Sequence, residues 1–462
     1  RRSVGMERWP MTPVETPDNS GLRFMLLGLL ALAASVLLGV VGAFKFLYPE
    51  FLEGVPFHKI RPLHVSLAVS WIFLTAIGGI YYYLPNLCNL TLFSTRAARC
   101  HFWIFLVTGA AILGAYGVGK FGGREYWEFP PALALPILLS WVLFGVNYFK
   151  TVVKRTTAWP VYYWMWGTGI VFFFLTLSES YLWLFPFFRE NMAREIAVQW
   201  KSYGALVGSW NMLVYGTAIF VMEKISAEED MARSKMAFGL YFLGLFNLMF
   251  GWAHHTYPVP FAAWVRDFSY IVSMSELFVL GKIIWDWRSS LSTFQKYRHR
   301  CAYRFLFAAD IWVFINLVLA LFISVPALNL FTHGTHVIVA HAMGTTIGIN
   351  TMILLASVFF VIEQRAGRGM ERRYAGPVDV GFGLANGSLL AFFCALLAAG
   401  LVKGTYTGDS FQEMMTGIEP FLLAFAVSGI GLMAGLWLVL LPAIGLMSAL
   451  VFPAKLGLAL DA

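Results

Sequence analysis

Two adjacent histidines, His254 and His255 in GWAHHTYPVP, stand in an otherwise apolar run, as does His341 in VIVAHAMGTTIGIN. His64, in IRPLHVSLAVSW, is a fourth, and His333 and His336 lie just ahead of His341. An ionisable ring in such surroundings is costly, so each is a functional candidate unless it is simply a hydrogen-bonded structural histidine. One isolated histidine favours the structural reading. Four that fall at similar depth on three separate apolar segments favour ligation, because metal and haem ligands converge in space and not in sequence. His341 and Met343 are two residues apart and would leave a helix about 200° apart. They cannot bind one iron, but a helix between two haems could give one ligand to each. On the residues alone, Met343 reads first as a gap-filling membrane methionine.

The elements that must position these residues are transmembrane. Of 462 residues, 59% are hydrophobic and 13% charged, with 42 Phe, and the mean hydropathy is +0.69. A soluble domain of ordinary composition is excluded. Apolar windows close to the ~20 residues needed to cross a bilayer recur along the chain. They lie at about 22–48, 63–86, 101–118, 131–149, 161–185, 199–223, 236–257, 262–286, 304–325, 335–363, 379–402 and 420–451. The fold class is therefore an all-α integral membrane protein of about twelve transmembrane helices. One membrane domain spans 22–452, with an arm at 1–21 and a tail at 453–462. The first window is too long for a cleavable leader and is expected to stay as a helix.

Alternate loops concentrate Lys and Arg: Arg96 and Arg99; Lys150, Lys154 and Arg155; Lys224, Arg233 and Lys235; Arg288, Lys296, Arg298 and Arg300; Arg365, Arg368, Arg372 and Arg373. The positive-inside rule assigns these loops and both termini to the cytoplasm of a bacterial inner membrane. The histidines then lie toward the periplasm. The net charge of +8 follows mostly from this asymmetry, with attraction to anionic lipid as a further consequence, and does not point to nucleic-acid binding. Cys88, Cys100, Cys301 and Cys394 form no CxxC or CxxCH pattern, so no covalent c-type haem is expected. His333 and His336 read as interfacial hydrogen-bonding residues.

FTHGTHVIVAHAMGTTIG resembles the tenth helix of the haem-copper oxidase superfamily, GWAHHTYPVP its seventh-helix metal pair, and IRPLHVSLAVSW its second-helix haem-ligand segment. GGREYWEFP and VSMSELF are similar to stretches of the catalytic subunit of bacterial nitric oxide reductases. The resemblance spans helices two to ten. It implies a subunit I-like bundle with two b-type haems: His64 and Met343 as axial ligands of a low-spin haem, and His341 as the proximal ligand of a high-spin haem. His254, His255 and Glu276 would bind a non-haem metal, iron before copper. Glu276 would also deliver protons, and Glu125 would help bind calcium, a hard cation suited to oxygen ligands.

The chain departs from that pattern twice. The tenth helix reads His341-Ala342-Met343 where the family has HxH, which implies a thioether ligand and a raised haem potential. In KSYGALVGSWNML the sixth-helix histidine becomes Tyr203, and two glutamates become Val207 and Asn211. Two histidines and a carboxylate can still hold iron with open positions. Tyr203 is either a weak ligand or hydrogen donor, or an ordinary packing residue.

The function implied is reduction of NO, a small gaseous substrate, to N2O. The alternatives are a divergent oxygen-reducing or NO-disproportionating relative, and a non-catalytic electron-transfer or gas-sensing haem protein. Electrons are expected from a membrane-anchored cytochrome c subunit or another periplasmic donor. The short N-terminal arm favours such a donor over quinol.

Overall fold

The computed structural model describes residues 19–228, 230–257 and 262–453; the side chains of residues 273, 276–278, 293, 294, 297 and 366–373 lie outside that set. Nearly all of the arm and of the tail expected from the sequence therefore lie outside the described residues, and α1 begins inside the expected arm, at Ser20.

Among the described residues the chain is helical, with one isolated bridge, Arg124 to Trp127, and no strand. The long helices are α1 Ser20–Leu47, α2 Phe57–Leu87, α3 Thr95–Gly117, α4 Ala134–Val152, α5 Val161–Glu179, α6 Met192–Ser226, α7 Lys235–Phe250, α8 Ala263–Ser290 and α9 Arg300–Ser324. They are followed by α10 His336–Arg365, α11 Tyr374–Thr405 and α12 Phe411–Val451. Among the described residues, eleven spans are long and apolar enough to cross a membrane. The twelfth expected window, 262–286, forms α8, a helix of 28 residues. It carries Arg266, Asp267, Glu276, Lys282 and Asp286, and the side chains of residues 273 and 276–278 lie outside the described residues.

Lipid supplies no hydrogen bonds, so each span must satisfy its backbone internally, and helices do this. Helix association then rests on close packing, which small residues permit. A Cβ on Gly21 would stand 2.8 Å from Gly78 O, joining α1 to α2, and one on Gly435 would collide with Ala385 N, joining α12 to α11. α10 and α11 run back against each other, since a Cβ on Gly400 would collide with Val337 N. α12 also packs on α1, and Trp437 Nε1 donates to Ala33 O at 3.1 Å. The ring of spans thereby closes around one buried core that includes Trp71, Trp141, Trp166 and Trp287.

Candidate metal centre

His64 lies two turns into α2 and is oriented by α1. Its Nδ1–H donates to Ser35 O at 2.8 Å, and Ser35 Oγ donates to His64 O at 3.1 Å. With Nδ1 engaged, Nε2 is the nitrogen left to ligate, the arrangement that second-sphere partners impose on ligand histidines. Gly39 makes the approach possible: a Cβ there would sit 2.9 Å from His64 Cε1.

His254 and His255 stand on a single 3-10 segment, Gly251–Thr256, that ends α7. Neighbouring residues diverge by about 120° on such a turn, yet the two rings lie with centroids 4.0 Å apart and planes at 45°. Asn329 ties the segment to the end of α9, its Nδ2 donating to His254 O (3.2 Å) and to Ile323 O (2.8 Å). From α6, Trp200 stacks on His255 at 5.5 Å and 13°, and His333 is 6.5 Å from the same ring. Both nitrogens of His254 and Nδ1 of His255 are buried without a hydrogen-bond partner. Orphaned buried polar atoms are costly and ask for a missing partner.

His341 lies in the first, α-helical part of α10, His336–Met343. Its charge would be felt at His254 and His255, as would that of His333, and its Nδ1 is buried, with the backbone of Asn316 beside the ring. Met343 closes the same α-helical stretch and packs on the core, so it leaves the helix about 200° from His341.

Immediately after Met343 the helix widens into a π-helical run, Gly344–Thr351, a form that concentrates at functional sites. Its cause is visible in its neighbours. A Cβ on Gly344 would collide with Asn316 Oδ1, and one on Gly348 would meet the Trp312 ring at 2.5 Å, so two glycines admit α9. Asn316 Nδ2 donates to Thr345 Oγ1 (2.6 Å), Asn350 Nδ2 to Asn211 Oδ1 (3.2 Å) and Trp71 Nε1 to Thr351 Oγ1 (3.0 Å). Three helices thus pin the stretch that follows the two candidate haem ligands.

Tyr203 is buried on α6 with its ring edge-on to Tyr126 at 5.3 Å, in the loop between α3 and α4. That loop is clamped by charge. Arg61 reaches Glu125 (2.5 Å) and Glu128 (2.8 Å), while Arg124 pairs with Glu195 (2.5 Å) and covers the Trp183 ring. Burial pushes the Glu128 carboxyl above its ordinary range against the pull of Arg61. Glu125 is therefore already engaged by a guanidinium, and the geometry adds nothing to its reading as a calcium ligand. Glu276 falls in α8, but its side chain lies outside the described residues. Among the described residues no group of three His, Cys, Asp or Glu side chains is arranged to hold a metal.

Sequence reading missed Ser35, Trp200, Asn316 and Asn329. Trp200 carried the available signal, since it stands one turn before Tyr203 on the helix from which a ligand was sought.

This arrangement is that of a known class. The cytochrome c and quinol oxidase polypeptide I family matches residues 19–433, and the chain belongs to it. Its members are the haem-copper oxidase subunits I, oxidoreductases with a haem and a second metal centre that work with cytochrome c partners. A nitric oxide reductase subunit from Stutzerimonas stutzeri is 21% identical over 82% of this chain and 83% of its own length. The Cbb3-type cytochrome c oxidase subunit CcoN1 of the same organism is 21% identical over 86% and 88%. The cytochrome c oxidase subunit 1 homolog of Agrobacterium tumefaciens (strain T37) is 23% identical over 86% and 78%. A heme-copper terminal oxidase dimer solved by cryo-electron microscopy superimposes with a TM-score of 0.73 at 14% identity, over 93% of this chain and 83% of that one.

Proposed function

We propose that this chain reduces NO to N2O at a high-spin haem held by His341 facing a non-haem iron held by His254 and His255, with electrons from a low-spin haem held by His64 and Met343. The observation that carries the reading is the adjacent imidazole pair, its rings 4.0 Å apart with three nitrogens buried and unpartnered, close enough to the buried His341 for their charges to interact. When bound, the haems and iron supply the redox chemistry: two NO, two electrons and two protons give one N2O and one water.

The chain's own residues do the rest. Ser35 and Gly39 fix the azimuth of the His64 ring. The Asn329 amide holds the 3-10 turn that keeps both imidazoles of the pair turned together. Asn316 and Thr345 hold the turn after His341, with Thr345 Oγ1 donating to His341 O at 3.2 Å. Trp200 covers His255, where an indole excludes water. Among the described residues, α6 brings an indole and no imidazole to the pair. That favours iron, which accepts a carboxylate such as Glu276 beside two histidines, over copper. Glu276 would also pass protons to the reacting gas, and Tyr203 would act from the Tyr126 loop as a hydrogen donor.

The partner would be a membrane-anchored cytochrome c or other periplasmic donor, in an inner membrane with both termini inside. Incubating the purified protein with NO and a reduced high-potential donor tests the reading. N2O at one per two NO is expected, and NO left unconsumed contradicts it. Oxygen reduction is the second reading, favoured by the even coverage of the cbb3-type relative; oxygen uptake with no N2O would select it.

A further inference from the structure

The cations at the basic end of the bundle differ in what answers their charge. Lys224 pairs with Glu223 at 3.2 Å, Lys282 with Asp286, and Arg300 and Arg304 both with Asp379. The corner formed by the start of α3 and the end of α4 has no such partners. No Asp or Glu occurs in residues 54–124 or 129–178. Among the described residues Arg96, Arg99, Lys150 and Lys154 are in no ion pair, and all of them are exposed. Arg155 beside them is half-buried and turns inward, donating to Tyr163 Oη at 3.4 Å. Like charges held together without counter-charge repel one another and attract an anion.

The corner is held in place from within. Buried Asn147 of α4 donates from Nδ2 to Ser94 O (2.9 Å) and accepts the Ser94 N–H at Oδ1 (3.0 Å), and buried Thr151 accepts the Phe93 N–H at Oγ1 (2.9 Å). The loop that opens α3 is thereby stapled to the last two turns of α4. Lys150 Nζ lies 4.5 Å over the Phe93 ring, and Lys154 Nζ donates to Thr91 O at 3.1 Å. Both ammonium groups thus stand beside the start of α3 with their charge uncompensated. On α3, Arg96, Arg99, Trp103 and Val107 follow one another at steps of three or four and share a face. Leu139, Val142, Val146 and Lys150 do the same on α4. The apolar members are open, with Trp103 54%, Val107 64% and Leu139 67% exposed. From Arg96 to Val107 the face is about 16 Å long, about one leaflet of a ~30 Å hydrocarbon core.

We propose that the α3–α4 corner binds an anionic phospholipid of the leaflet on the basic side, its phosphate held by Arg96, Arg99, Lys150 and Lys154 and its acyl chains laid along the two apolar faces. A guanidinium offers a phosphate two parallel N–H donors, and the two ammonium groups add point charge. Trp103, one turn below Arg99, stands where an indole seats at headgroup level. Charge complementarity selects the occupant. A zwitterionic lipid brings its own cation to the phosphate and gains little from this corner, whereas an anionic lipid brings the charge that the corner lacks. An acidic protein segment would answer the cations but not the apolar faces that continue below them. The site uses no haem and no metal, so it and the proposed gas reduction fail separately.

Native mass spectrometry of the purified, haem-loaded full chain in detergent tests the site, with titration of phosphatidylglycerol against phosphatidylcholine of the same acyl chains. A first phosphatidylglycerol is expected to be retained where phosphatidylcholine is not, and its affinity should fall as ionic strength rises. A cation near the membrane surface is worth about fivefold in affinity. Arg99→Gln combined with Lys150→Gln should therefore weaken retention by about 25-fold, and Arg99→Lys with Lys150→Arg should keep it. Lys282→Gln with Arg300→Gln, which removes as much charge elsewhere on the basic side, should leave retention unchanged. Equal retention of the two lipids by the wild-type chain overturns the proposal, and this arm needs no variant to fold. Equal losses in the two Gln pairs, or displacement of the lipid by inorganic phosphate at the same concentration, overturn it as well.

Discussion

The His64 site and the His254–His255 site solve the same problem in opposite ways. At His64 two continuous helices meet, a backbone carbonyl of α1 accepts the Nδ1–H hydrogen bond, and the ring is oriented by the protein itself. At the pair, the helix has ended, the turn is 3-10, and three ring nitrogens are buried without partners. A site satisfied by its own protein tolerates the loss of its ligand, whereas a site of orphaned donors depends on it. On the proposed reading, the electron-carrying end is built for constancy and the reacting end for occupancy. Metal that binds the folded pair and not the unfolded chain stabilises the fold by mass action, by about 2.7 kcal/mol at a hundredfold excess over Kd.

Breaking the occupied end should have the largest effect. His254→Ala and His255→Ala are each expected to abolish binding of the second metal and to lower NO turnover by more than about 100-fold, since even outer partners of metal ligands cost 10- to 100-fold. Metal analysis should show the haems retained; loss of both haems along with the metal would mean the pair is structural. Next comes the low-spin haem. Met343→His should lower its reduction potential, because a thioether ligand raises potential relative to imidazole. A redox titration that finds no change removes Met343 from the ligand set.

Gly39→Ala probes the pre-oriented end instead. Its methyl would press on the His64 ring at 2.9 Å, and overpacking of this kind costs about 1–3 kcal/mol. Thermal unfolding followed through the low-spin haem band should register that loss, while the second metal remains. The smallest effect belongs to the loop clamp. Arg61→Gln frees Glu125 and Glu128, and because the guanidinium is more than a third exposed, the expected cost is about 1 kcal/mol. Calcium bound more tightly in Arg61→Gln and lost in Glu125→Gln would place Glu125 in a cation site.

Much of this was legible from the chain alone, for a definable reason. Ionisable rings are so costly in apolar windows that His64, His254, His255 and His341 declare themselves, and helix lengths follow from bilayer thickness. What could not be read were acceptors that belong to the backbone, such as Ser35 O, and shapes set by distant neighbours. The π-helical run after Met343 depends on Asn316 and Trp312 filling the space beside Gly344 and Gly348, which no local pattern encodes. Trp200 has the sequence surroundings of an interfacial aromatic, and only its ring stacked on His255 reveals its place at the pair.

The two-metal centre stands or falls on a count of haem b, non-haem iron and copper per chain in the purified protein, made together with its electron paramagnetic resonance and optical spectra. Two b-type haems and one non-haem iron, with a methionine-type low-spin signal, are expected. Two haems with no third metal would contradict the two-metal centre and leave the orphaned imidazoles of His254 and His255 without an explanation.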